Sequence, residues 1–218
     1  MTGDLRLFVF DLDGTLVDSR RDIAESANAV LEECGCTPHS EEAIGGMVGD
    51  GAAQLIARAF AAAGCPAPSD ALDRFLRVYN SRLLRFTRPY DGVPELLDAL
   101  SELGTLAVLT NKPIGATRAV LGDLGLAQYF GGRVRGGDGP HPRKPDAAGL
   151  SGLIADAGVS AAETLMVGDS IVDVRTARGA GAAACVARYG FGFHDFPMAE
   201  LDAADRVIDR PLDLLATL

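Results

Sequence analysis

The stretch Arg6-Leu7-Phe8-Val9-Phe10-Asp11-Leu12-Asp13-Gly14-Thr15 decides how the rest of the chain is read. An apolar run of strand length ends in two carboxylates and a glycine, the pattern of a strand buried on both faces that opens into a polar loop. In open α/β sheets, ligands bind at that carboxyl end of the strands. Two acids two positions apart also suggest a calcium loop. Counting from Asp11, however, puts Leu16 where such a loop needs glycine and Asp22 where it needs a bidentate glutamate, so that reading fails. A plain turn stays open for the pentapeptide taken alone.

Outward from this stretch the same rhythm repeats. Strand patterns recur at 106–110, 164–167, 183–187 and 206–208, with a weaker one at 133–135 among glycines, and helical patterns at 94–103, 114–124, 147–157 and 171–180 separate them. Strands alternating with helices predict an α/β fold, a Rossmann-like parallel sheet covered on both faces. The interval 16–88 breaks the rhythm, with helical patterns at 21–33, 51–63 and 70–86 and no convincing strand. It reads as an all-helical cap domain inserted after the first core strand, leaving 1–15 and 89–218 as the catalytic core. The cap carries 8 basic and 10 acidic residues, a balance of −2 out of the chain's −10.

Composition narrows the function. With 20 basic against 30 acidic side chains and a pI near 4.7, no basic surface is available to follow a nucleic acid or an anionic membrane. The 48% hydrophobic and 23% charged content suits a packed globular protein, and no apolar run approaches the roughly 20 residues of a membrane span. Four cysteines are too few for a disulfide scaffold and the start does not read as an export signal, so a reducing, cytoplasmic setting is expected.

Three further segments join Asp11 and Asp13. Leu109-Thr110-Asn111 ends the second core strand with a hydroxyl and an amide. Val167-Gly168-Asp169-Ser170 ends a later strand with another carboxylate, and Asp173 follows one helical turn on. Lysine usage is the most telling count: of 20 basic residues only Lys112 and Lys144 are lysines, and both stand in loops expected at the crevice. A compact ammonium suits a phosphate as a point charge. Carboxylates converging with a hydroxyl and a lysine suit phosphoryl transfer assisted by Mg2+, which takes hard oxygen ligands and screens an attacking carboxylate from the phosphate.

These four segments, in this order, resemble the four motifs of the haloacid dehalogenase superfamily of phosphatases, and the helical insertion sits where that superfamily carries one type of cap. The resemblance implies that Asp11 is the nucleophile that forms an aspartyl-phosphate and Asp13 the general acid and base. It makes Thr110 and Lys144 the phosphate-binding residues. The metal ligands it implies are Asp11, Asp13 through its backbone carbonyl, and Asp169, with Asp173 and Ser170 orienting that shell. Expected substrate contacts are Leu12, Gly14, Thr15, Asn111 and Lys112 from the core and Gly46 and Met47 from the cap. Gly46 to Gly51, Thr110-Asn111-Lys112 and Arg88 to Val93 resemble bacterial phosphoglycolate phosphatases within the superfamily. A small organic phosphate monoester, 2-phosphoglycolate foremost, is therefore the expected substrate, and a monomer or homodimer the expected assembly. Asp13 argues against a dehalogenase, and the lack of a cap lysine argues against a phosphonate hydrolase that needs a Schiff base. A sugar phosphomutase of the same superfamily is the nearest alternative, and a phospho-acceptor signalling module the alternative of another class.

Other signals have plainer readings. Gly46, Gly49 and Gly51 are not a dinucleotide loop, because no strand precedes them. Arg74, Arg77, Arg82, Arg85 and Arg88 share a helical arc that reads as a solvated face. Cys34, Cys36 and His39 lack the second pair that a zinc site needs, and His141 reads as a solvated loop residue beside Lys144. If the substrate carries a carboxylate, Arg88, Lys112 and His141 are the candidate cations.

Overall fold

The computed structural model describes residues 5–194 and 196–218, so the first four positions of the expected 1–15 core segment lie outside the described residues. After β1 (Leu7–Phe10) come a two-residue strand β2 (Val17–Asp18), helices α1 (Arg20–Glu33), α2 (Glu41–Gly45), α3 (Ala52–Ala62) and α4 (Ala71–Asn80), and a second short strand β3 (Arg88–Pro89). The chain continues through α5 (Val93–Ser101), β4 (Thr105–Leu109), α6 (Ile114–Asp123), β5 (Val134–Arg135), α7 (Ala148–Ala157), β6 (Thr164–Gly168), α8 (Ile171–Ala180), β7 (Ala183–Ala187) and β8 (Arg206–Ile208).

Six of the strands form one parallel sheet in the order β5-β4-β1-β6-β7-β8. Alternation along each strand explains why the sheet is covered twice. Phe8 and Phe10 pack with Leu96, Leu100 and Leu121 on one face, and Leu7 and Val9 pack with Leu150, Leu153 and Val174 on the other. Each such side chain contributes about 1.5–3 kcal/mol by leaving water. The chain runs first to β4 on one side of β1 and later to β6 on the other, which makes the carboxyl end of β1 a switch point where an open crevice forms.

The helices between β2 and β3 have an apolar cluster of their own, with Ile23, Leu31, Leu55, Phe60 and Phe75 at its centre. β2 and β3 pair antiparallel, Val17 with Pro89 and Asp18 with Arg88, where the chain leaves the sheet and returns to it. Strands of two residues have no periodicity to read, and neither does the five-residue α2, which Ser40 caps by accepting from Ala43 N at 3.1 Å.

The helix expected to reach Phe86 stops at Asn80. Beyond it the backbone turns inward, because the fully buried Asp22 carboxylate accepts from Phe86 N, Thr87 N and Thr87 Oγ1 at 2.8–2.9 Å. Of the arginine arc, Arg77, Arg85 and Arg88 are exposed as expected, Arg74 pairs with Asp70 at the surface, and Arg82 departs from it, mostly buried against Glu25 and Asp22. Cys36 and Cys65, which nothing in their spacing pairs, are joined as a disulfide across this cluster, and no helix among the described residues is long and apolar enough to cross a membrane.

Candidate active site

Parallel register sets the site. Asp11 N donates to Val167 O at 2.9 Å and Thr110 N to Arg135 O at 3.0 Å, so Asp11, Thr110 and Asp169 emerge side by side as β1, β4 and β6 end. The loop after β1 must then turn sharply. Gly14 does so at φ +84°, and a Cβ there would run into the Asp169 carboxylate. Gly190 closes the same spot from the other side: its backbone packs so tightly on Gly14 O and Asp169 that no side chain fits. Gly192 N donates to Asp169 Oδ2 at 2.7 Å.

Asp11, Asp169 and Asp173 each bring a carboxylate oxygen to within 4.8 Å of one another, all three buried. Lys144 enters this cluster, donating to Asp173 Oδ1 at 2.6 Å, with its ammonium 2.9 Å from Asp11 Oδ1. That second contact is an ion pair without hydrogen-bond alignment, so Asp11 Oδ1 is buried with no hydrogen-bond partner. Burial raises the Asp11 pKa, Lys144 pulls it down and Asp173 pushes it back, leaving it at about 6. Burial also lifts Asp169 well above the usual carboxylate range, with the Asp11 and Asp173 charges adding to it. One lysine does not compensate three buried carboxylates. A hard divalent cation does, and an orphaned oxygen on Asp11 together with the Asp169 carboxylate forms a fitting donor set. Asp173 is otherwise engaged: Oδ1 takes Lys144, and Oδ2 takes Ser170 N and Oγ at 3.1 and 2.7 Å.

Asp13 faces a different environment. Its carboxylate accepts from Lys112 Nζ at 2.9 and 3.0 Å and from Ser19 Oγ at 2.5 Å. Lys112 also donates to the hydroxyl of Tyr79, which comes from the last turn of α4. Burial pulls the Lys112 pKa down, but Asp13 and Tyr79 outweigh it, so the ammonium holds its proton more tightly than an ordinary lysine. Asp11, Asp13, Thr110, Asn111, Lys112 and Tyr79 are the polar wall of a cavity of about 60 Å3, room for roughly four to six waters. Its other wall is apolar, with Leu55 of α3 and Phe75 and Leu76 of α4.

Asn111 joins the two halves of the site. Its amide nitrogen donates to Gly49 O, between α2 and α3, at 2.8 Å and to Lys144 O at 2.9 Å, and its oxygen accepts from Lys144 N at 2.9 Å.

Several expected contacts lie elsewhere. The Leu12 side chain is buried in the sheet core, because residues alternate about the strand end and Asp11 and Asp13 take the crevice side. Thr15 is buried, and its carbonyl accepts from Tyr189 OH at 2.9 Å. Between α2 and α3, Val48, Gly49 and Gly51 line the cavity, whereas Gly46 and Met47 line a separate pocket with Ser40, Glu42 and His194. The shift of two residues arises because the turn after α2 continues through Met47 and Val48, whose N–H groups donate to Ile44 O and Gly45 O. Arg88 bonds the carbonyls of Leu84 and Thr87, and His141 meets Arg135 at 2.9 Å, so Lys112 is the one of the three candidate cations on the cavity wall. Tyr79, Ser19, Gly190 and Gly192 had no motif to announce them; each depends on a contact between distant segments.

This arrangement matches known proteins over nearly its whole extent. A phosphoglycolate phosphatase from Agrobacterium fabrum is 41% identical over 208 residues, covering 93% of this chain and 88% of that one. A phosphoglycolate phosphatase from Rhodospirillum rubrum is 44% identical over 204 residues, 89% of this chain and 83% of that one. The crystal structure of a predicted phosphoglycolate phosphatase from Haemophilus somnus superposes with a TM-score of 0.87 at 30% identity, covering 100% of this chain and 99% of that one. The family model for haloacid dehalogenase-like hydrolases matches residues 8–187, a span that runs from β1 through every carboxylate and lysine of the crevice to the end of β7. The chain belongs to the haloacid dehalogenase-like hydrolases.

Proposed function

We propose that this hydrolase is a magnesium-dependent phosphatase for a small phosphate monoester, with 2-phosphoglycolate as its substrate. The observation that carries the reading is the division of labour between Asp11 and Asp13. One carboxylate lies among acids and Lys144, and the other two positions on faces a small cavity beside Lys112. The similarity to proteins named phosphoglycolate phosphatase supports the choice of substrate.

An Asp11 oxygen forms a bond to phosphorus as the ester P–O bond breaks, and protonated Asp13 gives its proton to the departing oxygen. Water then attacks the aspartyl-phosphate, Asp13 takes its proton, and the Asp11–phosphorus bond breaks to release phosphate. Thr110 and Lys144 hold the phosphoryl oxygens, and Asp173 fixes Lys144 through their 2.6 Å bond. Asp11, Asp169 and the backbone carbonyl of Asp13 would hold Mg2+, which when bound screens the nucleophile from the phosphate. Asp173, with both oxygens engaged, orients this shell with Ser170 rather than binding the ion. Residues 16–88 act as the cap over a core formed by the remainder.

The test is kcat/KM across phosphorylated metabolites, with magnesium and with a chelator. Phosphoglycolate should exceed hexose phosphates by about a hundredfold or more, because beyond the ester end the cavity wall is largely apolar and offers few partners for the hydroxyls of a sugar. Isomerisation of glucose 1-phosphate without release of phosphate would replace this reading with a mutase.

A further inference from the structure

Once the phosphate end of the cavity is assigned, two polar groups on its wall are left over. Asp11, Asp13 and Thr110 serve the ester, and Asn111 is taken up by backbone carbonyls of the cap and the Lys144 loop. Lys112 Nζ and the Tyr79 hydroxyl remain, side by side, opposite a wall of apolar side chains; the ammonium already donates to Asp13 and to the Tyr79 oxygen, so it offers its charge, and the unused donor is the hydrogen of the phenol.

Tyr79 is held to this position from two sides. Its ring stacks on Phe75 with centroids 5.6 Å apart and 5° between planes, and Lys112 Nζ lies 4.5 Å from its centroid. The ring is 3% exposed. Its hydroxyl oxygen accepts from Lys112, and among the described residues no acceptor receives the hydroxyl's own hydrogen. A buried phenol normally finds a partner for its O–H. Here the unspent donor points to an acceptor that arrives with a ligand, and the ammonium beside it selects an anion.

Lys112 also touches Asp13, the group that must reach the departing ester oxygen. A ligand atom bound to Lys112 therefore lies within about three hydrogen-bond lengths, about 9 Å, of that oxygen. Both atoms share one small cavity with an apolar far wall, which favours a short connection between them.

We propose that Tyr79 and Lys112 together bind the carboxylate of the substrate, and that Tyr79, a cap residue, is a specificity determinant for phosphate esters whose carboxylate stands one carbon from the ester oxygen. The inference rests on the substrate reading above and adds the residue that enforces it. Lys112 alone attracts any anion. Tyr79 adds a directed donor and reaches the cavity only when the cap lies over the core, so recognition of the carboxylate and seating of the cap are one event.

The experiment compares two inert phosphonates by calorimetry on the full chain with magnesium present. 3-Phosphonopropionate copies phosphoglycolate with a methylene in place of the ester oxygen, and propylphosphonate copies it without the carboxylate. The readout is the preference, the ratio of their Kd values, in the wild type and in Tyr79→Phe, which keeps the ring and its stacking. The wild type should prefer the carboxylate-bearing ligand by about tenfold or more, and Tyr79→Phe should reduce that preference by about tenfold, as expected for one charge-assisted hydrogen bond. Propylphosphonate binding by the variant verifies that it is folded. A wild-type preference left intact in Tyr79→Phe overturns the role of Tyr79 and leaves the substrate reading standing. No preference in the wild type overturns both.

Discussion

The side-chain amide of Asn111 donates across the crevice to the carbonyl oxygen of Gly49 at 2.8 Å, tying the core to the loop that follows α2 in the cap. The same amide clasps the backbone of Lys144 on both its N–H and its C=O. One residue therefore sets both the seating of the cap and the position of a phosphate-binding lysine.

Asn111→Asp tests this coupling. The substitution turns a donor that faces two carbonyl oxygens into an acceptor, and a buried polar group left unpaired costs about 1–3 kcal/mol. We expect a lower Tm, kcat/KM reduced at least about tenfold, and faster amide exchange in the loop Gly46 to Gly51. Unchanged exchange there would show that the Gly49 contact does not seat the cap.

Asp11→Asn should abolish turnover, by at least about a thousandfold, because an amide neither attacks phosphorus effectively nor binds the cation as an anion. Its stability should move the other way in chelator. The Asp11 pKa stands at about 6 in the folded protein against 3.8 for an unperturbed aspartate, so the folded state binds the proton more tightly between those values. Any stabilisation from this proton is complete below the lower value and is lost as pH rises through about 6. The Tm advantage of Asp11→Asn over the wild type should accordingly grow from pH 4 to pH 7, as melting curves would record.

Asp13→Asn separates acid catalysis from nucleophilic attack. Loss of a proton donor should reduce kcat by about a hundredfold or more on an alkyl phosphate, and far less on p-nitrophenyl phosphate, whose leaving group needs no proton. Equal losses on both would remove Asp13 from the acid role.

Gly190→Ala should loosen the metal site without touching a ligand directly. Its new methyl would collide with Gly14 O and Asp169, displacing the carboxylate. Half-maximal activation should need about tenfold more magnesium, in the range found when groups that orient a ligand are altered. Asp169→Asn should in addition lose the rise in Tm that magnesium produces in the wild type.

The sequence alone determined the parallel α/β sheet, the helical insertion and the order of the crevice motifs, because those signals are local. The unbroken apolar run Leu7 to Phe10, the helical period of residues 114–123 and the spacing of Asp11 and Asp13 all lie within one element or one loop. The rarity of lysine likewise singled out Lys112 and Lys144 without any structure. Tertiary structure decided what depends on segments that meet only after folding. Tyr79 lies 33 residues from Lys112, Asn111 lies 62 from Gly49, and Cys36 is joined to Cys65 across 29. Gly190 meets Gly14 from the loop after β7. The register of the cap over the crevice, which substitutes Val48 and Gly49 for Gly46 and Met47, is set by how one buried cluster packs on another. Apolar packing is not directional, so the sequence marks which residues are buried but not which residues of two packed surfaces come to face each other.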